Sequence, residues 1–196
     1  MIAIVDYGAG NITSVRRALE HLGHEAQVTC DPASVAAAER VIVPGVGHFR
    51  ATATLADSPL RAALVAQIER GRPLLGICLG MQWLFEASRE APELDGLGAF
   101  AGRCEPLPPG VKSPHIGWDS LEIAANSRLL CGLVSGTSVY FAHSYCAPLD
   151  RETAAVCHYG TPFSAAVERD NLFGVQFHPE KAGQAGLAIL ENFCRC

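Results

Sequence analysis

Charged side chains are scarce in this sequence. Asp, Glu, Lys and Arg make up 18% of its 196 residues, whereas an average soluble domain contains about 25%. No run of lysine or arginine is long enough to suggest an extended basic surface of the kind that binds nucleic acid. Hydrophobic residues make up 49% of the chain, and its formal net charge is −5. This composition predicts one domain with a large buried core, and it is consistent with an apolar surface that a partner covers.

A long apolar segment is also missing. The apolar stretch that starts at Met1 contains no basic n-region and is interrupted by Asp6. A signal peptide or a membrane span needs a longer uninterrupted apolar segment. We therefore expect a cytoplasmic protein that does not enter a membrane. Disulfides are rare in the cytoplasm, so most of the eight cysteines are expected to be small core residues.

Metal-binding and nucleotide-binding motifs are absent from the sequence as well. No paired C-x-x-C occurs, which argues against a zinc site. We expect neither a metal nor a cofactor. Gly8 and Gly10 resemble the start of a dinucleotide fingerprint, but Thr13 stands where the third glycine would be. The phosphate-binding pattern G-x-x-x-x-G-K-[ST] does not occur either, and nucleotide binding is therefore not expected.

What the sequence does contain is an alternation of strands and helices. In the first half, apolar patterns predict strands at 2–7, 25–30, 41–43 and 74–78, and helices at 11–22, 60–70 and 79–89. In the second half they predict strands at 99–107, 115–123, 139–145, 154–159, 165–169 and 173–178, and then a helix at 183–196. Repeated strand–helix units are typical of a parallel sheet with right-handed crossovers. The sequence therefore predicts a single α/β domain.

The strongest chemical motif is Gly76-Ile77-Cys78-Leu79-Gly80, between the fourth predicted strand and its helix. It matches the G-x-nucleophile-x-G elbow of hydrolases, with cysteine in the place of serine. The glycines permit a tight turn that places the sulfur at the carboxyl end of the sheet. The N-terminus of the next helix then favours the thiolate, which is the nucleophile. The alternative is an inert cysteine buried in a tight strand–helix turn.

A base for this cysteine is predicted in the segment Phe177-His178-Pro179-Glu180. His178 and Glu180 are two residues apart, so an extended backbone would direct both side chains to one face. Pro179 has no N–H, which suits the end of a strand. His178 would then be the acid–base group and Glu180 the carboxylate that orients it. A histidine alone is more often structural, and it is the elbow that favours the catalytic interpretation.

A third signal is the loop Pro44-Gly45-Val46-Gly47, which follows the third predicted strand. In a doubly wound sheet this loop should lie beside the elbow. Acyl transfer needs N–H donors that face the developing oxyanion, and the N–H groups of Gly47 and Leu79 are the predicted pair. An ordinary strand–helix turn is the alternative interpretation of this loop.

Together these motifs resemble the class I, or triad, glutamine amidotransferases over essentially the whole chain. The elbow and the His-Pro-Glu segment are typical of the class, whereas the Pro-Gly-Val-Gly loop and the segment His115-Ile116-Gly117-Trp118 are most similar to the glutaminase subunits of imidazole glycerol phosphate synthase, from histidine biosynthesis. Further matching segments lie at 6–11, 140–145 and 176–181. The resemblance implies a single glutamine amidotransferase type 1 domain over residues 1–196. Its fold would have three layers, with helices flanking a mixed, mainly parallel sheet.

The resemblance also implies roles for single residues. The side chains that hold the glutamine substrate would be Gln82, Glu90, Ser144 and Tyr145. Those that face a partner would be Lys181, Trp118 and Tyr140. The implied partner is a cyclase subunit of the (β/α)₈ type in a heterodimer, which uses the ammonia to make imidazole glycerol phosphate and an aminoimidazole carboxamide ribotide. Two positions depart from the family: Ala182 stands where serine is frequent, and Asp119 where asparagine is common and where contacts with the partner could change.

Three other functions stay open at this stage. The chain could be a glutaminase subunit that serves a different synthase. It could be a stand-alone hydrolase of the esterase or γ-glutamyl type, which would need no partner. It could also be a regulatory module without catalysis, although such a module would usually have lost part of the triad.

Overall fold

The computed structural model of this protein describes residues 1–56, 58–124 and 126–196. Its helices are α1 Ile12–His21, α2 Pro32–Ala37, α3 Pro59–Glu69, α4 Leu79–Leu84 and α5 Gly183–Arg195. Its strands are β1 Ile2–Val5, β2 Ala26–Thr29, β3 Arg40–Gly45, β4 Leu74–Cys78, β5 Phe85–Ser88, β6 Phe100–Pro106, β7 His115–Ser120, β8 Glu122–Ile123, β9 Ser138–His143, β10 Tyr145–Cys146, β11 Thr153–Tyr159, β12 Thr161–Arg169 and β13 Leu172–Val175. Short 3₁₀ turns lie at Phe49–Thr54 and Pro179–Lys181.

The described residues form one large sheet of eight strands in the order β2-β1-β3-β4-β13-β12-β11-β8. The first five of these strands are parallel, and β12, β11 and β8 are antiparallel to their neighbours. Strands β1, β4 and β13 are buried along their whole length, as expected for parallel strands covered on both faces. Smaller sheets have the orders β10-β6-β5 and β7-β9.

Helices cover both faces of the large sheet. Alternate residues of β1 point to opposite sides, so that Ile4 packs in the core beneath α1 and α5, whereas Val5 packs in the core beneath α2 and α3. The result is three layers around a mixed, mainly parallel sheet. The fold class predicted from the sequence is confirmed.

Strand β13 lies in the middle of the sheet beside β4, and this position determines which segments surround Cys78. Strand β13 pairs in parallel with β4, with Val175 opposite Ile77. Strand β3 pairs with β4 on its other side, with Gly45 opposite Cys78. Because the carboxyl ends of parallel strands meet at one edge, the segments that follow β3, β4 and β13 come together around Cys78.

Several predicted elements are shorter in the structure than the sequence suggested. The helix expected at 79–89 ends at Leu84, because the chain then pairs as β5 with β6, with Phe85 opposite Phe100. The Leu97 and Ala99 N–H groups bond the carbonyls of Trp83 and Leu84, which a longer helix would have used. The strand expected at 173–178 ends at Val175.

Other expected strands are divided between sheets. The segment 115–123 breaks at Leu121. The Leu121 N–H donates to the Thr137 carbonyl, and the Leu121 carbonyl accepts the Gly136 N–H. As a result β7 pairs with β9, whereas β8 joins β11. The segment 139–145 is likewise divided between β9 and β10. Helix α2 and the turn at Phe49–Thr54 were not predicted.

Gly80 allows β3 to lie close to the elbow, because it has no side chain. A Cβ at this position would lie 1.9 Å from the Val43 carbonyl oxygen, which is a backbone atom that cannot rotate away. Gly80→Ala should therefore lower the free energy of unfolding by about 3 kcal/mol, at the upper end of overpacking costs. Urea denaturation measures this change.

The control for Gly80 is Gly23, which has open space around its Cβ position and a φ of +82°. Gly23→Ala should lose only the backbone strain, about 1 kcal/mol. Equal losses in the two variants would contradict the close approach of β3 and α4.

Candidate active site

Cys78 lies in the tight turn between β4 and α4 with an unusual backbone. Its φ is +52° and its ψ is −106°, a region that costs a non-glycine residue about 1–3 kcal/mol. Gly76 and Gly80 make this turn possible, because a Cβ at Gly76 would lie 2.7 Å from the backbone of Gly80. The side chain of Cys78 is buried. This is the strained strand–helix geometry in which an elbow holds its nucleophile.

His178 and Glu180 meet beside this cysteine. The His178 Nδ1 atom lies 2.9 Å from the Glu180 Oε1 atom, and both side chains are buried. The His178 N–H donates to the Tyr140 carbonyl at 2.8 Å, which ties the histidine to β9. The expected extended backbone between the two residues is wrong, because Pro179–Lys181 forms a 3₁₀ turn that folds the carboxylate back onto the ring.

The electrostatics of His178 favour a cation. Burial alone lowers the pKa of His178, but the interactions with Cys78 and Glu180 outweigh it and raise the pKa to about 10. Glu180 occupies Nδ1, so the other ring nitrogen is the one left for the sulfur. An imidazolium between a carboxylate and a sulfur atom is the arrangement that activates a cysteine nucleophile.

A cavity of about 240 Å³ opens beside Cys78. Its volume is slightly below the range of about 300–1,000 Å³ that is typical of sites for drug-sized ligands, which suits a small substrate. Its wall contains all of the residues predicted for oxyanion or substrate binding: Gly47, Leu79, Gln82, Glu90, Ser144 and Tyr145. The structure thus brings together at one cavity residues that lie far apart in the sequence.

The loop that carries Gly47 differs slightly from expectation. Pro44 and Gly45 belong to β3 rather than to the loop after it, so the turn begins at Val46. Gly47 has a φ of +94° and nothing near its Cβ position. Such a conformation favours glycine, and a glycine peptide can rotate there at low steric cost.

Two polar side chains in the cavity wall have defined bonding capacity. The Glu90 Oε2 atom accepts the Phe49 N–H at 2.6 Å, and the carboxylate can still accept from a cationic group in the cavity. The Gln82 amide nitrogen donates to the Tyr145 carbonyl at 2.8 Å and to the Gln176 Oε1 atom at 3.1 Å. Both amide hydrogens are therefore used, and the Gln82 oxygen is the atom left for a ligand.

Sequence reasoning missed a buried pair of histidines, one of which, His143, lines this cavity. The His115 Nδ1 atom lies 3.2 Å from the His143 Nε2 atom, and the His143 Nδ1 atom lies 3.0 Å from the Tyr145 carbonyl. Burial lowers the pKa of His143 to about 3, so its ring is neutral near pH 7 and donates to that carbonyl. The neighbouring positions of His115 and His143 on paired strands β7 and β9 depend on long-range register, which no local pattern reveals.

An exposed aromatic patch lies next to the site. We define it as Ile116, Trp118, Tyr140 and Lys181. Ile116 and Trp118 are 62% and 57% exposed, and the Trp118 and Tyr140 rings meet edge to face at 6.1 Å. The Lys181 Nζ atom lies 5.5 Å from the centre of the Tyr140 ring. Large exposed apolar side chains of this kind mark interaction surfaces.

A larger cavity, of about 810 Å³, lies elsewhere. It is lined by Pro73 and Phe173, next to the starts of β4 and β13, and so it lies at the opposite end of the strands from Cys78. Its Arg128 is already paired with Glu168 at 2.9 Å. Ligands of open α/β sheets bind at the carboxyl ends of the strands, and we therefore assign the chemistry to the smaller cavity.

Neither a metal cluster nor a membrane helix occurs among residues 1–56, 58–124 and 126–196. These residues contain no group of three or more His, Cys, Asp or Glu side chains placed to hold a metal ion. No helix within them is long and apolar enough to cross a bilayer.

Relatives of known family match this chain over nearly its full length. The family model described as glutamine amidotransferase class-I matches residues 3–196. The imidazole glycerol phosphate synthase subunit HisH of Moorella thermoacetica is 47% identical over 195 residues, covering 98% of this chain and 93% of the relative. The subunit of the same name from Methanothermobacter thermautotrophicus is 45% identical over 194 residues, covering 98% and 97%.

Solved structures show the same fold at lower identity. A crystal structure of a glutamine amidotransferase superposes with a TM-score of 0.77 at 22% identity, covering 99% of this chain and 100% of that chain. The structure of PurLQS from Thermotoga maritima gives 0.74 at 20% identity, covering 99% and 97%. Given the family model and the identity to the HisH subunits, this chain belongs to the class I glutamine amidotransferases, in the family of the imidazole glycerol phosphate synthase subunit HisH.

Proposed function

We propose that this chain is the glutaminase subunit of an imidazole glycerol phosphate synthase. It hydrolyses glutamine to glutamate and ammonia, and it passes the ammonia to a cyclase partner in histidine biosynthesis. The observation that carries the proposal is the buried ion pair of His178 and Glu180 next to Cys78, at a small cavity whose wall includes Glu90 and Gln82. The relatives of this chain bear the name of that synthase subunit.

The first half of the reaction forms a thioester. The Cys78 thiolate attacks the carbonyl carbon of the glutamine side-chain amide, and the N–H groups of Gly47 and Leu79 stabilise the resulting oxyanion. His178 gives its proton to the amide nitrogen, the carbon–nitrogen bond breaks, and ammonia leaves. Because His178 is then neutral, it can act as a base in the next step.

The second half restores the enzyme. His178 takes a proton from water, and the hydroxide attacks the γ-glutamyl thioester to release glutamate and the Cys78 thiolate. Glu180 holds the ring in the correct orientation and stabilises the imidazolium that re-forms. In the cavity, Glu90 can pair with the α-ammonium group of glutamine, while the Gln82 oxygen accepts an N–H of the substrate. Ser144 and Tyr145 complete the wall.

The cyclase partner is proposed to be a (β/α)₈ subunit that docks on the aromatic patch as a heterodimer. Trp118 and Tyr140 supply the kind of aromatic anchors that dominate protein interfaces. The Tyr140 carbonyl accepts the His178 N–H at 2.8 Å, so contact at the patch reaches the triad through one residue. The cyclase uses the ammonia to make imidazole glycerol phosphate and an aminoimidazole carboxamide ribotide.

Partner gating is the test of this function. A glutaminase without control would waste glutamine, and we expect the isolated chain to be nearly silent. Rotation of a glycine peptide at Gly47 could add or remove one oxyanion donor, which is worth about 10²–10³-fold in rate. The glutaminase rate is measured for the chain alone, for the chain with the cyclase, and for the chain with the cyclase and its nucleotide ligand. The rate in the third condition should exceed that of the chain alone by this factor. Equal rates in all three would favour a stand-alone hydrolase.

A surface variant tests the docking site separately. Lys181 follows Glu180 directly, and an exposed charge contributes little to stability. Lys181→Ala should therefore weaken cyclase binding or the stimulation of glutaminase, with little change in thermal stability. Lys112→Ala, at the other lysine of the sequence, is the matched control. A Lys181 variant that binds and responds like the control would remove this residue from the interface.

A further inference from the structure

Gln176 is a buried amide in contact with the nucleophile. Its side chain is fully buried, directly after β13 and two residues before His178. The Gln176 Nε2 atom lies 3.6 Å from the Cys78 Sγ atom, within the range of hydrogen bonds to sulfur. Its Oε1 atom accepts from the Gln82 amide at 3.1 Å. Neither the mechanism above nor the sequence motifs give this side chain a task.

The direction of these hydrogen bonds follows from one backbone group. The Tyr145 carbonyl can only accept, so Gln82 must direct its NH₂ group towards it. The second hydrogen of that NH₂ group points to Gln176 and requires an oxygen there. Gln176 therefore presents its own NH₂ group to the sulfur. The Tyr145 carbonyl, which can only accept, therefore fixes the orientation of both amides.

A donor that faces the sulfur favours its anionic form, because hydrogen bonds to charged groups are roughly twice as strong as neutral ones. His178 cannot supply this stabilisation throughout the cycle, since it loses its proton to the departing ammonia. A neutral amide keeps its hydrogens in every step. It remains available when the thioester carbon–sulfur bond breaks and the thiolate re-forms.

We propose that Gln176 is a further catalytic residue, whose amide N–H bonds to the Cys78 sulfur and stabilises the thiolate as nucleophile and as leaving group. It also fixes Gln82 so that the Gln82 oxygen faces the substrate. The second role rests on the proposed glutaminase function, whereas the bond to the sulfur does not.

The test uses alkylation of the free chain, which needs neither the partner nor turnover. Iodoacetamide reacts with thiolate rather than thiol, so the pH profile of Cys78 labelling reports the population of thiolate. A peptide-resolved mass measurement separates Cys78 from the exposed Cys30 and Cys131. Gln176→Met keeps the volume and removes the donor, and its labelling midpoint should rise by about one pH unit. Gln176→Glu keeps an acceptor for Gln82 but places a carboxylate at the sulfur, so its midpoint should rise further.

Gln67→Met is the matched control. Gln67 is also fully buried, but its amide donates to the Val35 and Ala38 carbonyls at 2.7 Å, away from the sulfur. This variant should lose stability without moving the labelling midpoint. Midpoints of both Gln176 variants that equal that of the unaltered protein would overturn the proposal and leave Gln176 a packing residue.

Turnover in the cyclase complex gives a second readout. Gln176→Met should lower kcat about tenfold near neutral pH, and part of the loss should recover at higher pH, where thiolate forms without the donor. If the unaltered complex shows no glutaminase activity, the proposed function is refuted. A labelling midpoint that is still shifted in the Gln176 variants would then support the bond to the sulfur independently of that function. A loss of kcat that does not recover at higher pH would count against a role in thiolate stabilisation.

Discussion

Cys78→Ser should lower glutamine turnover in the cyclase complex by about four to six orders of magnitude, the scale seen when an activated nucleophile is removed. The serine hydroxyl would keep the position but would not ionise beside His178 as a thiol does. Only Cys78 among the eight cysteines lies in a strand–helix turn between two glycines. No other thiol should therefore matter for turnover.

Burial explains why four of the seven other thiols should not react with an alkylating agent. Burial raises the pKa of Cys146 to about 11 and that of Cys157 to about 12, so these groups stay protonated and unreactive. A glutamine-like alkylating agent should label Cys78 and abolish activity. The exposed Cys30 and Cys131 serve as controls, because their replacement by serine should leave the rate unchanged. Labelling at another cysteine with Cys78 free would contradict the assignment.

The parallel half of the fold could be predicted because its signals are local. Strand β4 lies at the predicted residues 74–78, and a short apolar run closed by the elbow glycine is enough to place it. Helix α2 could also have been found, since Asp31 caps it by accepting the Ser34 N–H at 2.8 Å and Pro32 takes the first helical position. The Asp-Pro pair is the signal for such a start.

Elements that depend on distant partners could not be predicted in the same way. Helix α4 is cut short because Phe85 pairs with Phe100, and the break at Leu121 depends on bonds to the segment at 136–137. Tertiary contacts override local propensity in both cases. The same limit applies to the site: Cys78 and His178 belong to short motifs, whereas Gln176 acquires its contact only because β13 lies beside β4, 98 residues apart in sequence.

His178→Ala should lower turnover in the complex by about 10²–10⁴-fold, because in the proposed mechanism His178 gives a proton to the departing amide nitrogen and then activates water. Glu180→Gln should cause an equal or smaller loss, since the amide oxygen can still accept the Nδ1 hydrogen at the 2.9 Å contact. What Glu180→Gln removes is negative charge. Steady-state rates at saturating glutamine measure both effects.

The pH profile separates the two roles of Glu180. The interactions with Cys78 and Glu180 raise the pKa of His178 to about 10 against the effect of burial, so the imidazolium persists well above neutral pH. Without the carboxylate that pKa falls, and the alkaline limb of activity should move to lower pH in Glu180→Gln. Glu191→Gln is the matched control, because Glu191 pairs with the partly exposed His24 at 2.7 Å on another part of the surface. That variant should change neither the rate nor the profile. Near-normal turnover in His178→Ala would mean that another group is the acid and base, and the triad as assigned would be wrong.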